Sequence, residues 1–143
     1  REQSVAVVTS RRGALSFAPG QEVRDVRGAE WVVRGNLDVL DARIEDGVFH
    51  SDVYPDALAR VWAALDCPTS GDVLLSAAPG YEFADWGGAD HVGGGSHGSL
   101  HRSDSLGALI VTGVELPETV PAQWSIRDVA GMVRGHFELP SGR

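Results

Sequence analysis

The chain has 143 residues, of which 43% are apolar and 22% charged, a globular composition that excludes a disordered or fibrous protein. All 12 basic residues are Arg, and 20 acids bring the net charge to −8; such a field repels phosphate backbones and anionic lipid, so no nucleic-acid polymer and no membrane is expected as a partner. The longest apolar runs, 73–78 and 108–114, fall far short of the roughly 20 residues that span a bilayer.

Up to about residue 50 the pattern is one of strands and turns. Val5–Thr9 and Ala14–Ala18 flank Arg11-Arg12-Gly13, and Gln21–Val26 and Glu30–Val33 flank Arg27-Gly28, which predicts two hairpins in a small antiparallel β lobe over 1–50. Val23, Val26, Trp31 and Val33 would form its buried face, with Arg24, Asp25, Arg27 and Arg34 turned outward. Residues 37–49 are expected to be a short strand or turn leading out of the lobe.

From Ser51 the period changes to that of a helix. Pro55 suits a first turn, Leu58, Val61, Trp62 and Leu65 recur at helical spacing, and Pro68 and Gly71 end the run. Cys67 has no partner for an internal disulfide and is expected as a small buried residue at the helix end; its solitude slightly favours a reducing, cytoplasmic compartment. The apolar runs 72–77 and 108–112, bounded by glycine and proline, predict two strands buried on both faces. Ser125-Ile126-Arg127-Asp128 is a capping box, and Ile126, Val129, Met132, Val133 and Phe137 line one side of the helix that follows. Helix, strand, long loop, strand, helix is an α/β layout, expected over 51–143 as part of a sheet core covered by helices.

The long loop, 81–106, holds six glycines, three of the five His, and Asp85, Asp90 and Asp104. A stretch this long without periodicity is uncommon in a compact domain unless it has a function. Gly94-Gly95-Ser96-His97-Gly98 matches the G-x-S-x-G pattern, and Asp104 or Asp128 followed by His136 has the order of a triad. That elbow, however, needs a strand running into the serine and a helix running out, and neither is predicted. A phosphate cradle of bare N–H groups lacks the lysine of a P-loop. Asp90, His91, His97, His101 and Asp104 have the chemistry of metal ligands, although any one imidazole is as well explained by a hydrogen bond.

Ser96-His97-Gly98 through Ser105, the run Leu109-Ile110-Val111-Thr112-Gly113, and then Ile126-Arg127-Asp128-Val129-Ala130 resemble the C-terminal end of the alkaline phosphatase superfamily, nearest its type I phosphodiesterase and nucleotide pyrophosphatase branch. The resemblance covers 72–137, about half the chain. It implies that His97 is the last metal ligand, usually to zinc, one of two divalent ions in the parent enzyme. His101 and Asp104 match no ligand, Asp128 resembles the acid that opens the last helix, and Gly131 stands where the family commonly has proline. The family's nucleophile and its Asp-His-Gly motif are not in this sequence, so no catalytic residue is assigned here.

The chain is therefore expected to be the C-terminal portion of a metal-dependent phosphate-ester hydrolase, inactive alone, whose first partner is the N-terminal part of the same polypeptide. Arg1 in place of Met fits that expectation. The β lobe would wall the cleft for a small phosphate ester, and Arg102 would attract the anion. If a parent sheet normally covers Trp62 or Leu109, their exposure would promote self-association. The alternative is a non-catalytic module whose Gly/His loop recognises a small anion or a partner protein.

Overall fold

Both predicted hairpins form. In this computed structural model, which describes residues 4–83, 98–116, 120, 121 and 123–139, β1 (Ala6–Ser10) turns at Arg11-Arg12 into β2 (Gly13–Asp25), and β2 turns at Arg27-Gly28 into β3 (Glu30–Gly35). The stretches 14–18 and 21–26, expected as two strands, belong to one strand with a register shift between Pro19 and Val23. Proline has no N–H to give to a ladder, so the strand bulges and bends there instead of ending.

Residues 37–49 do not lead out of the lobe; they extend its sheet. A 3-10 turn at Leu37–Leu40 precedes β4 (Ala42–Glu45) and β5 (Val48–Ser51), which pair across Asp46 and Gly47, both at positive φ (51° and 74°). Asp-Gly at the centre of a two-residue turn matches the twist of paired strands. The outcome is a mixed, mostly antiparallel sheet in the order β1-β2-β5-β4 with β3 also on β2; its parallel element is the short β2–β5 pairing at Arg24↔Val48 and Asp25↔Phe49.

One face of this sheet is closed by α1 (Ala57–Asp66). Leu15, Phe17, Trp31, Val39, Leu40, Phe49, Ala57 and Leu58 form the core, and Val61, Trp62 and Leu65 pack against it. The Trp62 ring lies 6.5 Å from Phe17 and 6.1 Å from Trp31, so Trp62 is part of the packing and not of an exposed patch. Each large side chain fully buried here contributes about 1.5–3 kcal/mol. Two expectations are corrected. Asp25 is buried, held inward by bonds described below. Cys67 does end α1 but is exposed, because Pro68 keeps it extended and turns the chain outward.

The chain divides into two compact units, Arg1–Leu106 and Gly107–Arg143. Neither 72–77 nor 108–112 joins a ladder, and Val73, Leu75 and Ile110 are 77%, 74% and 87% exposed. A strand apolar on both faces needs neighbours on both edges and cover on both sides, and the described residues supply neither. In the second unit α3 (Ile126–His136) starts with the predicted capping box, the Ser125 side chain accepting backbone N–H and Asp128 accepting the N–H of Ser125 at 2.7 Å. Its apolar stripe is exposed at Ile126 (85%) and Phe137 (65%) and half-buried at Val129 and Met132. Among the described residues no helix is long and apolar enough to cross a membrane.

Candidate functional site

His97 lies outside the described residues, as do Asp85, Asp90, His91 and Ser96. The segment that follows it, Gly98–Ser105, is well defined by its bonds to the first unit. Gly98 takes φ +99°, and a Cβ there would meet none of the described residues within 4 Å. The conformation favours glycine.

Three residues, Arg60, Ser76 and Val53, hold this segment in place. On α1, the half-buried Arg60 donates from Nη1 to the carbonyl oxygens of Pro55 (3.0 Å) and Leu100 (3.1 Å) and from Nη2 to that of Ser99 (3.4 Å). Burial lowers the pKa of this guanidinium from its ordinary value, yet an Arg stays protonated. The N–H of Leu100 donates to Ser76 Oγ at 3.0 Å, and the N–H of Arg102 donates to the Val53 carbonyl at 2.8 Å. Leu100 itself packs against the core.

The polar side chains of the segment have local work. His101 precedes the short helix α2 (Arg102–Ser105), and its Nδ1 accepts the N–H of Ser103 at 3.2 Å. Its ring meets Tyr54 edge-on at 6.0 Å. The same nitrogen lies 2.8 Å from Ser103 Oγ, so Ser103 meets it with both its N–H and its hydroxyl. Arg102, expected to attract an anion, is exposed and donates from Nη1 to the Asp52 carbonyl at 3.3 Å. Hydrogen bonds from Ser99 and then from Ser103 hold the Asp104 carboxyl below its ordinary range. Ser105 Oγ donates to the His101 carbonyl at 2.8 Å.

Of the residues in the triad order, Ser96 lies outside the described residues, and the pair Asp128 and His136 can be followed along one helix. Asp128 and His136 stand eight residues apart on α3, and at a rise of 1.5 Å per residue that separates them by roughly 12 Å along the axis, far beyond a hydrogen bond. His136 lies against the Phe137 ring at 4.8 Å and lines, with Trp124 and Met132, a cleft of about 910 Å³ within the second unit. Among the described residues no group of three His, Cys, Asp or Glu is placed to hold a metal.

The sequence did not single out Arg60 or Ser76. Arg60 belongs to no motif of the sequence, and Ser76 sits inside a run expected as a buried strand. Comparison with protein-family models, with curated proteins and with solved structures returns no match for this chain.

Proposed function

We propose that this chain is one part of a metal-dependent phosphate-ester hydrolase of the alkaline phosphatase superfamily type, to which it contributes His97 as a zinc ligand. The observation that carries the reading is an order of three elements: His97-Gly98 in a long glycine-rich loop, an apolar run ending at Gly113, and a helix opened by Ser125 and Asp128. Two features of the fold support it. A Cβ at Gly98, the residue after the proposed ligand, would meet none of the described residues within 4 Å, and α3 starts where the resemblance expects a helix start.

In a two-metal centre the ions activate the nucleophile and take up charge on the leaving side. This chain's share is one imidazole, which ligates in its neutral form; the nucleophile and the remaining ligands belong to other polypeptide. The apolar runs 72–77 and 108–112 would become strands of the completed sheet, and the β lobe would wall the cleft. Arg102, with one guanidinium nitrogen on the Asp52 carbonyl, would turn its remaining donors toward an anionic ester. Alone, the chain is inactive.

The test is a zinc titration together with an assay of the whole chain on an activated phosphodiester in excess zinc. Expected are weak binding, micromolar or poorer because one ligand shares the desolvation of the ion, its loss in His97→Ala, and no turnover. Zinc binding unchanged in His97→Ala would overturn the assignment, and turnover that survives purification and vanishes with His97→Ala would overturn the inactivity. A non-catalytic recognition module is the second reading, favoured by the anchoring of 98–105 on Arg60 of α1 and on Ser76. The coding sequence before Arg1 separates the two, since an Asp-His-Gly motif and a nucleophile there support the hydrolase.

A further inference from the structure

We propose that the outer edge of β1 is an interface between two copies of this chain, which joins their sheets by antiparallel pairing centred on Val7; the proposal is independent of the hydrolase reading. Beside a two-residue hairpin turn, residues alternate between those that bond to the opposite strand and those whose N–H and C=O point away from it. The turn at Arg11-Arg12 closes on the pair Ser10↔Gly13, so Ser10, Val8 and Ala6 bond to β2, while Val7 and Thr9 direct their backbone groups to the other side. Ala14, opposite Thr9, obeys the same alternation: its carbonyl turns away from β1 and accepts the N–H of Asn36, which follows β3, at 2.9 Å. Among the described residues β1 ends the path β1-β2-β5-β4, and no strand takes up its outer row of groups.

Edges of this kind are usually blunted by lysine, proline, a bulge or an inward charge. The strand Ala6-Val7-Val8-Thr9-Ser10 has none of these, and Val7 and Val5 are 59% and 56% exposed. The register that sets Val7 on Val7 and Val5 on Thr9 is self-complementary, with β-branched side chains facing one another across the strands. Charge favours a second copy at this edge over any other face. Two chains of net charge −8 repel over most of their surfaces, but residues 3–21 are the longest stretch of the sequence without an acid, and they hold β1 and the part of β2 that pairs with it. Of the two cations there, Arg12 is paired with Asp41. Antiparallel pairing sends Arg11 of the two copies to opposite ends, roughly 27 Å apart for eight residues at about 3.4 Å each.

The experiment is sedimentation equilibrium of the whole chain from micromolar to millimolar concentration, for the parent, Val7→Pro, Val7→Arg and Ile126→Ala. The parent should pass from monomer to dimer with a dissociation constant on the order of tens of micromolar, since a short strand edge buries less than a standard interface. Added salt should tighten the dimer by screening the repulsion between the two copies. Val7→Pro removes an N–H that points away from β2, a position where an edge strand accepts proline. Two-fold symmetry turns that change into two lost bonds, so the dimer should weaken at least about tenfold. Val7→Arg keeps the N–H, sets two cations face to face at the centre of the pairing, and should weaken the dimer as much. Ile126→Ala, on the exposed face of α3, should associate like the parent. Circular dichroism and Trp fluorescence verify that each variant is folded, and if Val7→Pro does not fold, Val7→Arg carries the comparison. A parent that stays monomeric throughout overturns the proposal. So does a dimer that persists in the folded Val7 variants, or one that is lost in Ile126→Ala alone.

Discussion

Asp25 and Trp31 close the turn between β2 and β3 from inside: Oδ2 of the carboxylate accepts the indole N–H at 2.8 Å in the buried interior. The other oxygen accepts the N–H groups of Arg27 and Ala29, each at 2.9 Å. One side chain thus satisfies two turn amides and a core indole together, which explains why a carboxylate tolerates 5% exposure: a buried polar group costs little once its bonds are made.

Removing that acceptor leaves three donors without their partner. Asp25→Ala is expected to lower stability by about 3 kcal/mol and Asp25→Asn, which keeps one carbonyl oxygen, by about half as much. Urea unfolding followed by Trp fluorescence measures both, and a loss under about 1 kcal/mol for the alanine variant would mean that water replaces the carboxylate at no great cost.

Two glycines at positive φ separate conformational from steric cost. At Gly28 (φ +85°) an added Cβ meets nothing within 4 Å, whereas at Gly35 (φ +106°) it would come within 2.5 Å of the Ala14 carbonyl oxygen. Gly28→Ala should therefore cost about 1–2 kcal/mol, the backbone penalty alone. Gly35→Ala adds a clash with a strand of the sheet and should cost at least about 3 kcal/mol. Equal losses in thermal or urea unfolding would show that β3 shifts to relieve the contact.

Acid stability should depend on Glu22. Its carboxylate is bonded to both terminal nitrogens of Arg34, with Nη2 to Oε1 at 2.7 Å, and the hydrogen bond from Arg34 holds its pKa below the ordinary 4.5. A group whose pKa falls on folding adds stability above its unfolded pKa and loses it as the pH drops through the folded value. The parent and Glu22→Gln should accordingly differ by a constant amount above about pH 5 and converge below the lowered pKa. The pair is exposed, so its effect is small and fades with salt. A difference that does not change between pH 2 and pH 6 would exclude this linkage.

Helices α1 and α3 should respond to truncation in opposite ways. Leu58→Ala removes a side chain that is 1% exposed and is expected to cost about 3 kcal/mol. Ile126, at 85% exposure on α3, should tolerate alanine within about 0.5 kcal/mol. A concentration-dependent loss on Ile126→Ala, read by sedimentation and melting together, would reveal that self-association covers that face.

Much of the lobe was legible from local signals. Arg11-Arg12-Gly13 and Arg27-Gly28 marked their hairpins, helical spacing from Leu58 to Leu65 located α1, and Ser125 with Asp128 located the start of α3. Asp46-Gly47 carried an equally clear turn signal, but the weak alternation around it hid β4 and β5. The candidate site was less legible. His101 and Asp104 have the chemistry of metal ligands and Arg102 that of an anion contact, and no property of their spacing distinguishes such a site from the local hydrogen bonds that occupy them.

Sequence alone determined what is written in neighbouring residues: the turns, the helix starts, the acidic balance, and the concentration of glycine and imidazole between 81 and 106. Tertiary structure decided which side of a strand Asp25 faces, that Trp62 packs on Phe17 and Trp31, and that Arg60 reaches forty residues ahead to Leu100. The reason is physical. Turn and cap preferences are set by a few adjacent dihedrals and short-range bonds, whereas the fate of a carboxylate or a guanidinium depends on which distant donors and acceptors folding brings within about 3 Å.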